Sequence, residues 1–500
     1  MANPFYISTA IHYPNGRPHI GHAYEMIAAD AIARFQRQHG RDVFFQTGTD
    51  EHGLKMVQTA RDRGIEPRQL ADEMSGYFRE MADVLDISYD RFIRTSETGH
   101  YAASQAIWQA MADAGDLYLD RYEGWYSVRD EAFYEEKELT EGEGGVKLSP
   151  QGTPVEWTAE ETWFFKLAKY QQPLLDFYAA NPDFIRPESR RNEILRFVEG
   201  GLIDLSVSRT SFDWGVPVPG SPDHVMYVWV DALTNYITGA GYPDDAERFA
   251  TYWPADIHLI GKDIVRFHAV YWPAFLMSAK LPLPKQVFGH GFLLNRGEKM
   301  SKSVGNVVDP MELAELYGKD ALRYFLLRDI SFGSDGTFSD EAIVTRANAD
   351  LSNSFGNLAQ RVLAFIAKNC EGHVPEGRAE EADAALLAEV DVACAAFRTA
   401  FDDLALSQGI EAWMTGVFAC NQYIDAQAPW ALRKTDAERM RAVLRTLIRA
   451  IRRLATTILP VIPTSAGKLL LQLPSEDDEA FRIAAPSPIF PRLELQATDA

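Results

Sequence analysis

The run Pro14-Asn15-Gly16-Arg17-Pro18-His19-Ile20-Gly21-His22 decides how this chain folds. An apolar stretch from Phe5 to Ile11 precedes it, and a helical pattern from about Ala23 to Gln38 follows, so it sits where a strand hands over to a helix. Such a junction is an anion site: unpaired backbone N–H groups and the positive end of the helix dipole face outward. Gly16 and Gly21 let phosphate oxygens come close to the main chain. His19 and His22 are three apart, so one helical turn places both rings on one side. The plain alternative for such a pair is a helix cap or a solvated turn.

Outward from this stretch the strand-and-helix alternation continues. Asp42 to Thr49 reads as a strand ending in the polar loop Asp50-Glu51-His52-Gly53, and Val225–Ala232, Ile257–Ile264 and Gln286–Leu293 read as buried strands. Together they predict an α/β protein with a Rossmann-type doubly wound parallel sheet, whose ligands bind beyond the carboxyl ends of the strands. Residues 1–115 form its first half and 223–295 its second. Between them, 116–222 changes character, with Gly124-Trp125-Tyr126, Phe133-Tyr134 and Trp163-Phe164-Phe165 around a hydrophilic Glu141–Gly145 loop. This is an inserted connective domain, its aromatics most simply its core. Residues 296–339 make a loop and connector in which Asp309 is a plausible N-cap with Pro310 at the first helical position. From 340 to 500 the periodicity is helical throughout: Leu351, Phe355, Leu358, Val362 and Phe365 form one apolar stripe.

A length of 500 residues exceeds what one hydrophobic core serves. The start lacks a basic leader and no run approaches the length that spans a bilayer, so the expected location is cytoplasmic, with no membrane partner. Cys370, Cys394 and Cys420 are too widely spaced for a zinc signature or a disulfide framework. The formal charge of −22 argues against nonspecific coating of nucleic acid, yet allows local basic patches. One such patch is expected on a helix from about Asp436 to Leu454, where Arg441, Arg445, Arg449 and Arg452 form a ridge; the alternative is a solvated amphipathic face.

A second signature lies far downstream, Lys299-Met300-Ser301-Lys302-Ser303, between Gly297 and Gly305. Two ammonium groups on a glycine-flanked loop suit a triphosphate whose outer phosphates are about to leave. In this order and with an α/β fold between them, the two stretches resemble the paired signatures of class I aminoacyl-tRNA synthetases. Within that class the chain resembles methionyl-tRNA synthetases over nearly its whole length, through Gly124-Trp125-Tyr126, Glu160–Leu167 and the pocket residues that follow.

The resemblance implies a methionine--tRNA ligase that makes methionyl-adenylate and pyrophosphate from L-methionine and ATP with Mg2+, then transfers methionine to the terminal adenosine of tRNA(Met), initiator included. It assigns His19, His22, Lys299 and Lys302 to catalysis, and Gly21, Gly261, Asp263, Ser301 and Lys302 to ATP. Methionine falls to Ile11, Tyr13, Asp50, Trp229, Ala232, Tyr236, Ile264, His268 and Trp272, with Asp50 on the α-ammonium and the aromatic rings and His268 around the thioether. Leu233 stands where many members have proline. Asn357, Arg361 and Trp430 match anticodon-reading positions; the sequence alone places Trp430 more readily in a core than on a surface.

Relatives often carry a zinc knuckle in the insertion, but here Ser127 and Ser149-Pro150-Gln151-Gly152 occupy the matching places, so no structural zinc is expected and no metal ligand is assigned. The insertion looks too small for the editing domain of the isoleucine, valine and leucine enzymes. No further module is evident after Pro491, and a monomer is expected. Two alternatives stand beside this reading: a noncatalytic tRNA-binding protein derived from a synthetase, and a nucleotidyltransferase that adenylates a small acid without tRNA.

Overall fold

A computed structural model describes residues 3–127, 132–295, 297–300, 306–373, 377–474 and 482–495. The chain divides into two compact units, one of Met1–Pro18, Gly40–Asp83 and Ser88–His290, the other of His19–His39, Val84–Ile87 and Gly291–Ala500.

The first unit is built on a six-stranded parallel sheet in the order Arg91–Arg94, Asp42–Thr49, Pro4–His12, Ile257–Gly261, Val287–His290, Ile185–Arg186. Strands Pro4–His12 and Asp42–Thr49 are buried along almost their whole length, which is why they read as continuous apolar runs. Sequence order reverses between Pro4–His12 and Ile257–Gly261, so the topological switch point opens beyond His12 and Gly261. Close approach of neighbouring strands demands glycine at Gly48, where a Cβ would meet the Ile93 carbonyl oxygen at 2.0 Å. Tyr6, Phe44, Trp108, Phe165, Tyr236, Trp253 and Trp272 anchor one continuous core under this sheet.

The insertion forms antiparallel sheets, the larger centred on Leu117–Ser127 paired with Glu156–Phe165. Its aromatics divide: Tyr126 and Phe165 are buried, whereas Trp125 rests edge-to-face on the exposed Trp157, with Lys147 over its ring.

The second unit holds the helix Ile20–Gln38, a small sheet of Leu293–Asn295, Glu298–Lys299 and Gly336–Phe338, and a run of helices to Leu470. Asp309 caps Pro310–Tyr317 by accepting from the Met311 N–H at 2.8 Å, as its sequence position suggests. Arg323 is wholly buried and donates to Asp30 at 2.7 Å and to the carbonyls of Leu85, Pro460 and Val461, while Arg34 reaches the same carboxylate oxygen from one turn along the helix.

Three sequence expectations change here. Val225–Ala232, read as one buried strand, is instead the end of the strand Ser221–Met226 followed by the start of the helix Val228–Ala240, because an apolar run this short does not distinguish a strand from a buried helix. Phe365 is only half-buried, unlike Leu351, Phe355, Leu358 and Val362, because it lines a surface pocket. The arginine ridge of Ala437–Ile458 is also less uniform than its spacing suggests: Arg452 donates to the carbonyls of Leu473 and Pro474, just after the helix Pro463–Leu470, and of the four arginines Arg449 alone is exposed.

Candidate active site

In the second unit, the strand-to-helix motif is a helix cap made of imidazoles. His19 Nδ1 accepts from the Gly21 N–H at 3.1 Å, His22 Nδ1 accepts from the His19 N–H at 3.0 Å, and the rings stack 3.8 Å apart. The pair is thus the helix cap that its plain reading expected. With both Nδ1 atoms accepting, the proton of each neutral ring sits on Nε2. A Cβ at Gly21 would come within 2.9 Å of the His19 ring, so only glycine permits this stack. The helix starts at Ile20, three residues before its apolar periodicity, because this cap satisfies two donors of its first turn. Of the lysine stretch, the Lys299 backbone pairs with Leu294; Ser301 and Lys302 lie outside the described residues.

In the first unit, most of the expected methionine residues converge around the helix Val228–Ala240 and the segment after strand Ile257–Gly261. Ala232, Tyr236, His268 and Trp272 are buried; Ile11, Tyr13, Trp229 and Ile264 are partly exposed. Trp229 stacks on Phe267 with centroids 3.6 Å apart, and the Tyr236 and Trp272 rings lie 6.2 Å apart. His268 bonds at both nitrogens. A carbonyl only accepts, so Nδ1–H donates to Ile264 O at 2.9 Å, and Nε2 of the neutral ring accepts from the Tyr236 hydroxyl at 2.6 Å. With both nitrogens engaged, the ring offers a ligand its C–H edge and face rather than an N–H. Asp263 is exposed, and a Cβ on Gly261 would meet its carboxylate at 2.8 Å.

Asp50 follows directly on the strand Asp42–Thr49, its N–H donating to His12 O at 2.9 Å, and is buried. The two residues after it are clamped from different directions. Glu51 accepts from Arg94 at 2.7 and 3.0 Å and from Thr49, with Ser96 on its other oxygen; His52 Nδ1 lies 2.6 Å from Asp231 Oδ2. The other Asp231 oxygen is 2.7 Å from His100 Nε2. Burial would raise the Asp231 carboxyl, but His52 and His100 outweigh it and hold it down at about 2. These partners are 179 and 131 residues from Asp231, and no periodicity or motif announces them.

A separate pocket of about 440 Å³ lies in the helical part of the second unit, lined by Arg361, Phe365, Lys368, Trp430 and Arg433 among others. Trp430 is 45% exposed, which overturns its core reading: it follows Pro429 at the start of a short helix and turns outward. Arg361 covers its ring and also pairs with Asp425 at 3.0 Å; Asn357 is exposed one turn before Arg361. A further group of basic residues, Arg361, Lys368 and Arg433, thus lines the pocket beside this tryptophan.

At the insertion's knuckle, hydroxyls meet where thiolates were expected in relatives. Thr153 Oγ1 lies 2.7 Å from Ser127 Oγ and 2.8 Å from Ser149 Oγ, and Ser149 Oγ accepts from the Gln151 N–H; all three hydroxyl residues are buried. Among the described residues, no group of three or more His, Cys, Asp or Glu side chains is arranged to hold a metal ion. Nor is any described helix long and apolar enough to cross a membrane.

A parallel sheet with a topological switch point, a cluster of aromatic rings in the same unit, an imidazole-capped helix and a helical C-terminal part are the parts of a class I aminoacyl-tRNA synthetase. Residues 5–363 match the family described as tRNA synthetases class I (M), and residues 374–486 match the anticodon binding domain of methionyl tRNA ligase. The chain belongs to the methionyl-tRNA synthetase family. It is 60% identical over 502 residues to the methionine--tRNA ligase of Brucella suis biovar 1, covering 98% of each chain. Against the Mycobacterium tuberculosis H37Rv enzyme it is 58% identical over 474 residues, covering 93% of this chain and 91% of that one. The structure of Mycobacterium tuberculosis methionyl-tRNA synthetase in complex with methionyl-adenylate superposes with a TM-score of 0.94 at 55% identity, covering 98% of this chain and all of that one. The free-state structure of the same enzyme gives 0.89 at 51%. The activity is therefore that of an ATP-dependent methionine--tRNA ligase.

Proposed function

We propose that this chain charges tRNA(Met), initiator included, by two successive displacements. The methionine carboxylate attacks the α-phosphorus of Mg2+·ATP, the bond to the β-phosphate oxygen breaks, and pyrophosphate leaves. The nucleophile is already an anion, so this step needs alignment and charge stabilisation rather than a general base. His19, His22, Lys299 and Lys302 supply the charge stabilisation, and Gly21, Gly261, Asp263, Ser301 and Lys302 hold the nucleotide. The observation that carries this reading is the pair of stacked imidazoles at the helix start, each accepting a backbone N–H at Nδ1 and so carrying its proton on Nε2, the kind of N–H donor that phosphoryl oxygens take.

Methionine binds with its ammonium on Asp50 and its thioether among Ile11, Tyr13, Trp229, Ala232, Tyr236, Ile264, His268 and Trp272. Sulfur is polarizable and prefers aromatic edges, and the wall of Trp229, Tyr236 and Trp272 supports this assignment. A ribose hydroxyl of the terminal tRNA adenosine then attacks the carbonyl carbon and AMP departs. Asn357, Arg361 and Trp430 read the anticodon. Consistent with this reading, the enzyme works in the cytoplasm, as a monomer, with no metal other than the Mg2+ that enters with ATP.

Amino-acid-dependent ATP–pyrophosphate exchange across the twenty standard amino acids tests the proposal. Exchange with methionine alone is expected, and His22→Ala and Lys302→Ala should lower its rate far more than they lower methionine affinity. Exchange with another amino acid would overturn the pocket assignment. Equal loss of rate and affinity would make the motifs structural.

A further inference from the structure

Asp231 lies in the first turn of the helix that carries Trp229, Ala232 and Tyr236, where a carboxylate also complements the helix dipole. Its two oxygens each face one imidazole, His52 at 2.6 Å and His100 at 2.7 Å, and all three side chains are at most 2% exposed. The chain of bonds extends at both ends. His52 Nε2 lies 3.0 Å from the Tyr101 hydroxyl, and His100 Nδ1 lies 3.1 Å from Thr238 Oγ1, which returns to the same helix. Burial first, and then the neighbouring Asp231, pushes the Tyr101 phenol up to about 12, so it keeps its proton. His52 stands two residues after Asp50 in a loop whose backbone is otherwise tied by Thr95 to the Glu51 N–H and by Trp214 to Gly53 N–H and Glu51 O.

We propose that Asp231, gripping His52 and His100, is a positioning residue that fixes the Asp50 loop against the pocket helix and so sets where the α-ammonium of methionine is held. The inference rests on Asp50 being the ammonium ligand. All three side chains are buried, and the proposal gives them an indirect role rather than contact with the reacting atoms. A carboxylate is required because it accepts from both rings at once; an amide would turn a donor toward one of them. The consequence is specific: loosening the cluster displaces one charged contact of the amino acid and leaves the aromatic walls standing. Misplacement of such a contact by about 1 Å costs on the order of a hundredfold.

Equilibrium binding of L-methionine and of 4-(methylthio)butanoate, the same side chain and carboxylate without the ammonium, separates this role from general damage. For Asp231→Asn and His52→Ala, methionine affinity is expected to fall roughly ten- to a hundredfold, and that of the deaminated acid by less than about twofold. His52→Asn, which keeps a donor at the δ position, is expected to restore most of the loss. Equal losses for both ligands, no loss for either, or His52→Asn as damaging as His52→Ala would overturn the inference; should Asp231→Asn fail to fold, the two His52 variants decide. Asp50→Asn is the reference. If it leaves methionine affinity intact, the ammonium assignment itself falls, whereas a loss there with wild-type binding in Asp231→Asn refutes the positioning role alone.

Discussion

The guanidinium of Arg361 lies over the indole of Trp430, 5.2 Å from the ring centroid, and holds that ring at the surface beside a pocket also lined by Lys368 and Arg433. The Asp425 carboxylate ties Arg361 from the other side, so the stack is present before any ligand arrives. Under the proposed anticodon role, the exposed ring would stack on an unpaired base, with cations nearby for its backbone.

Trp430→Ala should therefore lower kcat/KM for tRNA charging by the worth of one base–aromatic stack, about 1–3 kcal/mol or roughly 5- to 150-fold. Methionine-dependent ATP–pyrophosphate exchange should stay at the wild-type rate. A parallel loss in exchange would mean that the tryptophan supports the fold rather than the tRNA.

The hydroxyl knot of Ser127, Ser149 and Thr153 makes a second expectation. Thr153→Val keeps the shape of the side chain but removes the oxygen shared by both serines, leaving buried hydroxyls short of a partner at a cost of about 1–3 kcal/mol. Chemical denaturation of the two proteins measures this directly. Chelator treatment should leave the wild-type curve unchanged, and elemental analysis should find no stoichiometric zinc.

Buried Arg323 gives the largest expected stability effect. Arg323→Met strands the carbonyls of Leu85, Pro460 and Val461 and removes one cation from buried Asp30, a loss of about 3–5 kcal/mol. Arg323→Lys should recover only part of it, since an ammonium lacks the planar fork that serves a carboxylate and three carbonyls together. Urea unfolding midpoints of the three proteins provide the test.

The cysteines should differ in reactivity. Burial raises all three thiols, with Cys420 pushed up to about 12, and only Cys370 is partly exposed. A thiol reagent at neutral pH should modify Cys370 slowly and reach Cys394 and Cys420 only on unfolding. Mass-resolved labelling with and without denaturant distinguishes them.

What the sequence revealed, and what it concealed, follows from the range of each interaction. The switch-point strands were legible because burial on both faces writes an apolar run, and Asp309 was legible because a cap acts over two or three residues. The imidazole pair was legible as a helix start for the same reason. Trp430 was misjudged because its exposure depends on where Pro429 turns the chain, not on the local pattern. Arg452 read as part of a ridge because the carbonyls it serves belong to Leu473 and Pro474, 21 and 22 residues on and past the end of the next helix. The His52–Asp231–His100 cluster left no trace, since each residue is unremarkable within its own segment and only the folded sheet brings them together.

The pairing of Asp30 with Arg323 also imposes an order in time. These residues are 293 apart, and at roughly 5–20 residues per second the ribosome needs about 15–60 s to deliver the arginine after the aspartate. Throughout that interval the helix bearing His19 and His22 exists without the segments that later complete its unit. Arg34, only four residues from Asp30, is made almost at once and supplies a local counter-charge. The nascent chain thus carries its own placeholder for a partner still untranslated, and a fragment beginning beyond Gln38 would lack the helix on which that late arginine closes.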